Sequence, residues 1–516
     1  MPQPPMLGGP FTMPMMNGFV PKKIQPWIYV FFAFAFQLSG SMYAGAMSHV
    51  MGDMCIMRED VLMIILCGVV GVNMPFPLLF RFKFRFTNRQ LLLTSASVVA
   101  LCNILSLTTE NVAVLCVLSY LAGFFKLCGT FECMSNIQLW MTAKRDFAIF
   151  FPLLYCIVLG DMSLSPWITI QLTYIFQSWH AMHWFMAGLM AMVALLVLVL
   201  THDFRFMKPL PLLSIDWLGC VLWSALLIEI IFLFNYGEYY NWWDGAVFRH
   251  VAIMVLPTAY FAIQRMRHIR HPYIAPEAWK YKRLVPLLIL FAIIELIGAT
   301  PKVLQSTITG AVLHFGTIST SVFYIVEWFG TIFGCLFVLL WIKVLHFKFT
   351  RLLTLGFAAL MAYEIMMYLM VAPGLKMECF FLPIWLRTFG VAIFFTALTI
   401  YLEEIMPFQH FFMGLTMVGF IRNGVMETIC SGLYSLSLRK TVADNMARAV
   451  PYDAIQNIMV SVKQLFGFTC ILGTVVLIIF LLWDVQPVRS TLKKMPYWNV
   501  VGRMMRKQMK SEKRGA

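Results

Sequence analysis

Long uninterrupted apolar stretches, separated by short polar segments, are the main pattern along this chain. A helix needs about 20 apolar residues to cross a hydrocarbon core roughly 30 Å thick, because each residue rises about 1.5 Å. Stretches of that length predict fourteen membrane-spanning helices, near residues 25–49, 60–80, 90–108, 112–136, 146–171, 180–201, 215–236, 247–265, 284–306, 317–342, 351–372, 379–404, 409–436 and 464–484. The pattern therefore predicts an all-α, multi-pass membrane protein.

The basic residues between these stretches predict the orientation. If the N-terminus is cytoplasmic, 28 of the 39 Lys and Arg residues fall in segments on that side. Seven fall in external loops and four within spans. Because cytoplasmic loops carry an excess of Lys and Arg, we expect an inner (plasma) membrane protein with both termini cytoplasmic.

Composition favours a bilayer over water as the main solvent. Apolar residues make up 60% of the chain, charged residues 12%, and the mean hydropathy is +0.79. The net charge of +15 is spread over short runs between spans and the C-terminal segment, so no basic stripe typical of nucleic-acid binding is predicted. The twelve scattered cysteines contain no CxxC pair, which excludes a zinc ribbon and argues against a disulfide framework.

Two polar tails flank the predicted spans. Residues 1–24 are rich in Pro, Met and Gly, and their basic residues follow the uncharged stretch, so we predict a disordered cytoplasmic tail rather than a signal peptide. Residues 485–516 are predicted to form a basic cytoplasmic tail.

Two predicted cytoplasmic loops resemble each other. The chain reads LLFRFKFRFTNRQLLLTS after the second span and LLWIKVLHFKFTRLLTLGF after the tenth. Two six-helix halves separated by an inserted pair of helices would produce this offset, although short cytoplasmic loops are commonly basic for topological reasons alone. We therefore predict bundles at 25–201 and 284–484, with an inserted pair and linker at 202–283. The loop residues Arg85, Arg89, Lys348 and Arg351 are candidates for a conformational role.

Several segments resemble the fourteen-span drug:proton antiporter branch of the major facilitator superfamily. IDWLGCVLWSALLIEIIFLFNYGEYYNWWDG is similar to that family's seventh span and following loop, with matches at Asp216, Gly219, Gly237, Trp243 and Asp244. LSPWITIQLTYIFQSWHAMHWF resembles the antiporter signature of the fifth span, with matches at Pro166 and Trp179. HPYIAPEAWKYKRL is similar to the linker into the ninth span.

The chain also departs from this family. Phe80, Phe84 and Thr87 stand where the loop after the second span should carry Gly, Asp and Gly. Ser41 and Ser119 stand near the positions of an expected acid in the first span and an expected arginine in the fourth. The resemblance implies the fold and proton-driven efflux of small molecules. In a Gram-negative host it also implies a membrane-fusion adaptor and an outer-membrane channel as partners.

An ionisable residue within a span costs free energy unless it is paired with an opposite charge or hydrated, so each such residue is a functional candidate. In the superfamily, spans 1, 2, 4, 5, 9, 10, 12 and 13 line the central cavity. Nine charged residues fall on these helices, and pairing them as structural ion pairs is the alternative to a transport role. The proton-coupling candidates are Asp161, Glu295, Glu327, Glu132 and Glu427, and the charge-pairing candidates are Lys126, Lys302, Arg387 and Arg422.

Asp161 is the preferred coupling residue in the N-terminal half. Pro166 removes a backbone donor and frees a carbonyl one turn earlier, which provides a polar site for water near this carboxyl. Lys126 on the predicted fourth span is expected to pair with Asp161 when the carboxyl is deprotonated. Two states that differ in charge pairing would result.

The leading hypothesis is a secondary transporter that exports amphipathic or cationic small molecules by alternating access, coupled to protons. The first alternative is a transporter-derived binding or scaffold protein, suggested by the degenerate loop motif. The second is a membrane-embedded enzyme, which the ten scattered histidines and the absence of a P-loop or HExxH motif disfavour. We predict no catalytic residue, no metal site and no cofactor.

Overall fold

The computed structural model describes residues 15–40, 42–141, 147–205, 215–342, 349–447 and 453–482. Across these residues the chain is almost wholly helical. The helices are α1 Gln25–Leu38, α2 Met42–Met54, α3 Arg58–Asn73, α4 Leu79–Arg85, α5 Asn88–Ser106, α6 Val112–Met141, α7 Phe147–Phe176, α8 His180–Leu200, α9 Trp217–Asn235, α10 Ala246–His268, α11 Leu284–Gly298, α12 Thr317–Leu340, α13 Phe349–Leu369, α14 Phe381–Ile405, α15 Phe408–Phe420, α16 Glu427–Ala447 and α17 Ala454–Leu482.

Twelve helices in the described residues are long and apolar enough to cross a membrane, counting α1 with α2 and α11 with its π-helical continuation as one each. The chain is therefore a multi-pass membrane protein. The predicted second and thirteenth spans are helical but do not meet this criterion. The second ends at Asn73 before Pro75 and Pro77, since proline cannot donate a helix hydrogen bond, and restarts as α4. A membrane count of fourteen thus remains a prediction.

The predicted thirteenth span is a composite helix. It consists of α15, a π-helical segment Ile421–Met426, and α16, which extends beyond the predicted end at residue 436 to Ala447. A second π-helical region follows α11, at Pro301–Gln305 and Ile308–Val312. Such wide turns are rare in proteins and are concentrated at functional sites.

The same pairs of helices pack together in both halves of the chain. In the N-terminal half, α3 packs on α6, α6 on α5, and α5 on α8; eight spans later α12 packs on α14, α14 on α13, and α13 on α17. Glycines permit the closest crossings in both. A Cβ on Gly71 of α3 would lie 2.1 Å from the Tyr120 carbonyl oxygen, and one on Gly334 of α12 would lie 2.7 Å from that of Phe389. The packing therefore supports the predicted repeat.

The two halves meet at two helix–helix interfaces. Helix α7 packs along α12, and α3 packs against α15 and the adjoining π-helical segment. Of the inserted pair, α9 lies against α3 and α16, whereas α10 packs on α9 and is largely exposed. The inserted helices therefore lie at the rim of the interface between the halves.

The end of the predicted N-terminal tail differs from the sequence-based expectation of disorder. Met15 and Met16 are buried, and the Asn17 backbone N–H donates to the Leu200 carbonyl oxygen at 2.9 Å. Asn88 also donates to Met15, at 3.2 Å. These contacts fix residues 15–24 to the ends of α5 and α8, and we call this side of the molecule the N-terminal face. Residues 1–14 and 485–516 lie outside the described residues.

Candidate functional site

Three ion pairs occupy the middle and the outer part of the C-terminal half. Arg422 Nε lies 3.3 Å from Glu295 Oε1, joining the composite thirteenth span to α11. Lys302 pairs with Glu427 between the same two spans, and Arg387 of α14 pairs with Glu327 of α12. Six predicted site residues are thereby brought together as partners. Each predicted acid in this half has a basic partner.

The π-helical segments position two of these pairs. Lys302 lies in the first segment after α11, and Arg422 lies in the segment that precedes Glu427. The wider turn shifts the side chains that follow it around the helix, so that Glu295 and Lys302 both reach the thirteenth span. Arg422 also lies over the Phe395 ring of α14, 3.7 Å from its centroid, and this cation–π contact fixes the guanidinium laterally.

Access to these charges is uneven. The Lys302 and Glu427 side chains keep 53% and 26% of their surface exposed, whereas Arg422 and Glu295 keep 13% and 15%. A charged group at membrane depth is strongly disfavoured in hydrocarbon, so the exposed pair must face water. The Lys302–Glu427 pair is therefore the more accessible of the two ion pairs between these spans.

Glu132 is in a different environment from the one its candidate role requires. Its Oε2 lies 3.2 Å from Lys83 Nζ, Asn136 donates to its Oε1 at 3.2 Å, and the carboxylate is buried. Lys83 also contacts Ser135. The sequence places Lys83 in a basic loop, but the structure places it on α4, folded inward onto α6. Glu132 is thus half of a buried structural pair near the N-terminal face.

Asp161 and Lys126 lie in the middle of the N-terminal half. Asp161 is 2% exposed, and its Oδ2 has no hydrogen-bond partner among the described residues. Lys126 is the base whose charge acts on Asp161, yet the described residues contain no ion pair between them closer than 4.0 Å. The predicted Asp161–Lys126 salt bridge is therefore not formed in this conformation.

A break in the first span holds Lys126 instead. Helix α1 ends at Leu38 and α2 begins at Met42, and a Cβ added to Gly40 would lie 2.1 Å from Lys126 Nζ. Ser165 Oγ of α7 lies 2.8 Å from the Leu38 carbonyl oxygen and 2.5 Å from that of Gly40. The ammonium group thus fits against a residue that has no side chain, at a point where two spans approach each other.

Aromatic side chains from both halves close the N-terminal face. The centroid of the Phe80 ring lies 4.7 Å from that of Phe412 and 5.4 Å from that of Phe131, and both contacts are edge to face. Nearby, Asn73 Nδ2 donates to the Gly419 carbonyl oxygen at 3.2 Å. Two of these aromatic rings come from one half and Phe412 from the other, so the halves are held shut on this side.

The linker after α10 packs on the N-terminal half at this face. The Tyr273 hydroxyl donates to the Met74 carbonyl oxygen at 2.8 Å, and burial raises the pKa of Tyr273 well above its ordinary value. The phenol therefore stays a donor at physiological pH. Asp216, one of the residues that carries the family resemblance, caps α9 and pairs with Arg265, at 2.6 Å from Oδ1 to Nε.

The three candidate loop residues that the structure describes do not join the two halves. Arg89 donates to the Leu198 carbonyl oxygen at 3.0 Å, which ties α5 to α8 within one half. Arg85 and Arg351 are exposed. Lys348 lies outside the described residues.

Glu364 of α13 is a buried carboxyl that was not among the candidates predicted from the sequence. It is 0% exposed and accepts hydrogen bonds from Thr300 at 2.6 Å and Thr469 at 2.8 Å. These bonds join α13 to the end of α11 and to α17. Glu364 therefore stabilises the packing of the C-terminal half. No group of three or more His, Cys, Asp or Glu suitable for a metal ion occurs among the described residues.

Comparisons with known proteins identify the fold. No family model and no curated protein sequence matches the chain. A mutant peptide transporter POT in complex with alafosfalin matches with a TM-score of 0.58 at 14% identity, over 90% of this chain and 96% of that one. The human organic anion transporter MFSD10 matches with a TM-score of 0.53 at 11% identity, over 88% of this chain and 100% of that one. A mutant nucleoside transporter NupG matches with a TM-score of 0.51 at 13% identity, over 89% of this chain and 99% of that one. The chain has the major-facilitator fold.

Proposed function

We propose that this protein is a proton-coupled secondary transporter of amphipathic small molecules that works by alternating access. The observation that carries the proposal is the combination of contacts that join the two halves at the N-terminal face with a partly exposed ion pair deeper in the C-terminal half. In a protein built from two repeated halves, that combination is one end state of a rocking motion about a central site. The N-terminal face is the proposed cytoplasmic one, as in the fourteen-span antiporter branch.

Asp161 is the proposed proton carrier. Glu295, Glu327, Glu427 and Glu132 each have a basic partner, whereas Asp161 has none among the residues that the structure describes. A buried carboxylate without a partner carries a large desolvation cost, which protonation removes. Movement of Lys126 from Gly40 to Asp161 would release that proton, so the rearrangement links charge state to conformation. The efflux direction and an adaptor partner are implied by the family resemblance.

Spin labels report the proposed motion without a known substrate. In a background lacking the exposed Cys55 and Cys379, one pair at Arg85 and Glu404 spans the halves on the N-terminal face. A second pair at Glu110 and Lys376 spans the halves on the opposite face. Double electron–electron resonance should give two distance populations for each pair. When pH changes, the fraction of molecules with the longer distance should rise for one pair and fall for the other.

A pair at Asp53 and Glu110 lies within one half and should keep a single distance. If both interhalf pairs behave like this control, the chain does not alternate, and a transporter-derived binding or scaffold protein becomes the better account.

A further inference from the structure

Some charged residues in the membrane-spanning helices have a partner of opposite charge, and others do not. Glu295, Glu327 and Glu427 are each neutralised by a base on a neighbouring helix, and Glu132 by Lys83. Lys126 and Asp161 are left without direct partners in the described residues. When Asp161 holds a proton, Lys126 is the member of this pair that carries a charge, and that charge suits an anion.

Lys126 is 7% exposed, and no hydrogen bond from its ammonium group to another described residue is present. An ammonium group has three N–H donors. The two carbonyl oxygens exposed by the break in the first span, those of Leu38 and Gly40, are both within hydrogen-bonding distance of Ser165 Oγ. The Ser165 hydroxyl group donates to one of these two carbonyl oxygens at a time. The buried ammonium group keeps donor capacity for a ligand.

The charge that the site presents depends on the proton of Asp161. The helices packed on α7 bring other ionisable residues near it: Glu327 on α12 is paired with Arg387, and Tyr29, Tyr43 and His183 are carried by α1, α2 and α8. Lys126 is the residue whose charge acts on Asp161. With Asp161 protonated the pair has a net charge of +1, and with Asp161 ionised it has none.

We propose that the substrate is an organic anion, with its carboxylate bound by Lys126 while Asp161 holds a proton. Release of the proton lets Asp161 compete for Lys126 and expels the anion. Proton and anion bind together, so they cross in the same direction. This inference rests on the proposed transport function and assigns its substrate class, and it differs from the cation efflux that the family resemblance implies.

Two probes of equal size and opposite charge test the assignment. Binding of 2-naphthoate and of 2-naphthylmethylammonium to the purified full chain in nanodiscs is measured by calorimetry across pH. We expect 2-naphthoate to bind more tightly than the amine, and more tightly as pH falls. Lys126→Gln should weaken 2-naphthoate by about 10- to 100-fold, the usual effect of losing a hydrogen bond to a charged group.

Three variants separate this role from a structural one. Asp161→Asn should keep 2-naphthoate binding and remove its pH dependence, and Gly40→Ala should weaken binding by displacing the ammonium while every charge is retained. Lys376→Gln, which removes an exposed base outside the proposed site, should leave binding unchanged. Tighter binding of the amine, no saturable binding of 2-naphthoate, or equal binding by wild type and Gly40→Ala would overturn the inference. Because no step measures transport, these outcomes are distinct from failure of the proposed function.

Discussion

Asp161→Asn is expected to abolish net transport driven by a pH gradient while preserving exchange of substrate between the two sides. Asparagine resembles the protonated carboxyl and cannot form an ion pair with Lys126. Lys126 therefore stays available to the substrate, and no charge pairing between residues 161 and 126 expels the substrate. A loss of at least 100-fold in gradient-driven uptake corresponds to removal of the coupling step, about 3 kcal/mol. The measurement uses proteoliposomes and the compound identified by screening a deletion strain.

Glu378→Gln is the matched control, because it makes the same chemical change on the exposed opposite face. It should transport normally. Normal gradient-driven uptake by Asp161→Asn would remove Asp161 from the coupling mechanism. Failure of that variant to fold would assign the residue a structural role.

Glu295→Gln is expected to destabilise the protein by on the order of 3 kcal/mol, because it leaves the Arg422 guanidinium buried without its carboxylate. Adding Arg422→Gln should recover most of that loss, since the double variant buries no unpaired charge. The free energy of unfolding in an SDS titration provides the measurement.

The pair next to it is the natural control. Lys302 and Glu427 join the same two spans but are partly exposed, so Glu427→Gln should cost less than about 1 kcal/mol. Equal losses for Glu295→Gln and Glu427→Gln would contradict the difference in burial on which the site description depends.

The apolar stretches of the sequence were sufficient to predict most of the helices. The third predicted span, for example, is α5, displaced by only two residues at each end. They also placed Glu295, Glu327, Arg387 and Arg422 on helices that meet in the bundle. The length of an apolar stretch predicts a membrane-spanning helix because the bilayer sets the length that such a helix needs.

The partners of these residues could not be predicted, because a hydrophobic pattern does not specify the rotation of a helix about its axis. Lys83 shows this most clearly: its neighbours Arg81 and Arg85 mark a loop, yet its side chain is folded inward onto Glu132. Lys126 was expected at Asp161 and lies at Gly40, because the break in the first span, which no strong signal marks, creates the space. The π-helical segments Pro301–Gln305 and Ile421–Met426 likewise change the directions in which Lys302 and Glu427 leave their helices, without altering the apolar pattern.

Substrate flux across a bilayer under an imposed pH gradient tests the central claim most directly. In proteoliposomes that contain the wild-type chain, substrate should accumulate against its own gradient when the two sides differ in pH, and a protonophore should stop this accumulation. Equal substrate concentrations on both sides at every pH difference, or flux indistinguishable from that of empty liposomes, would contradict proton-coupled transport.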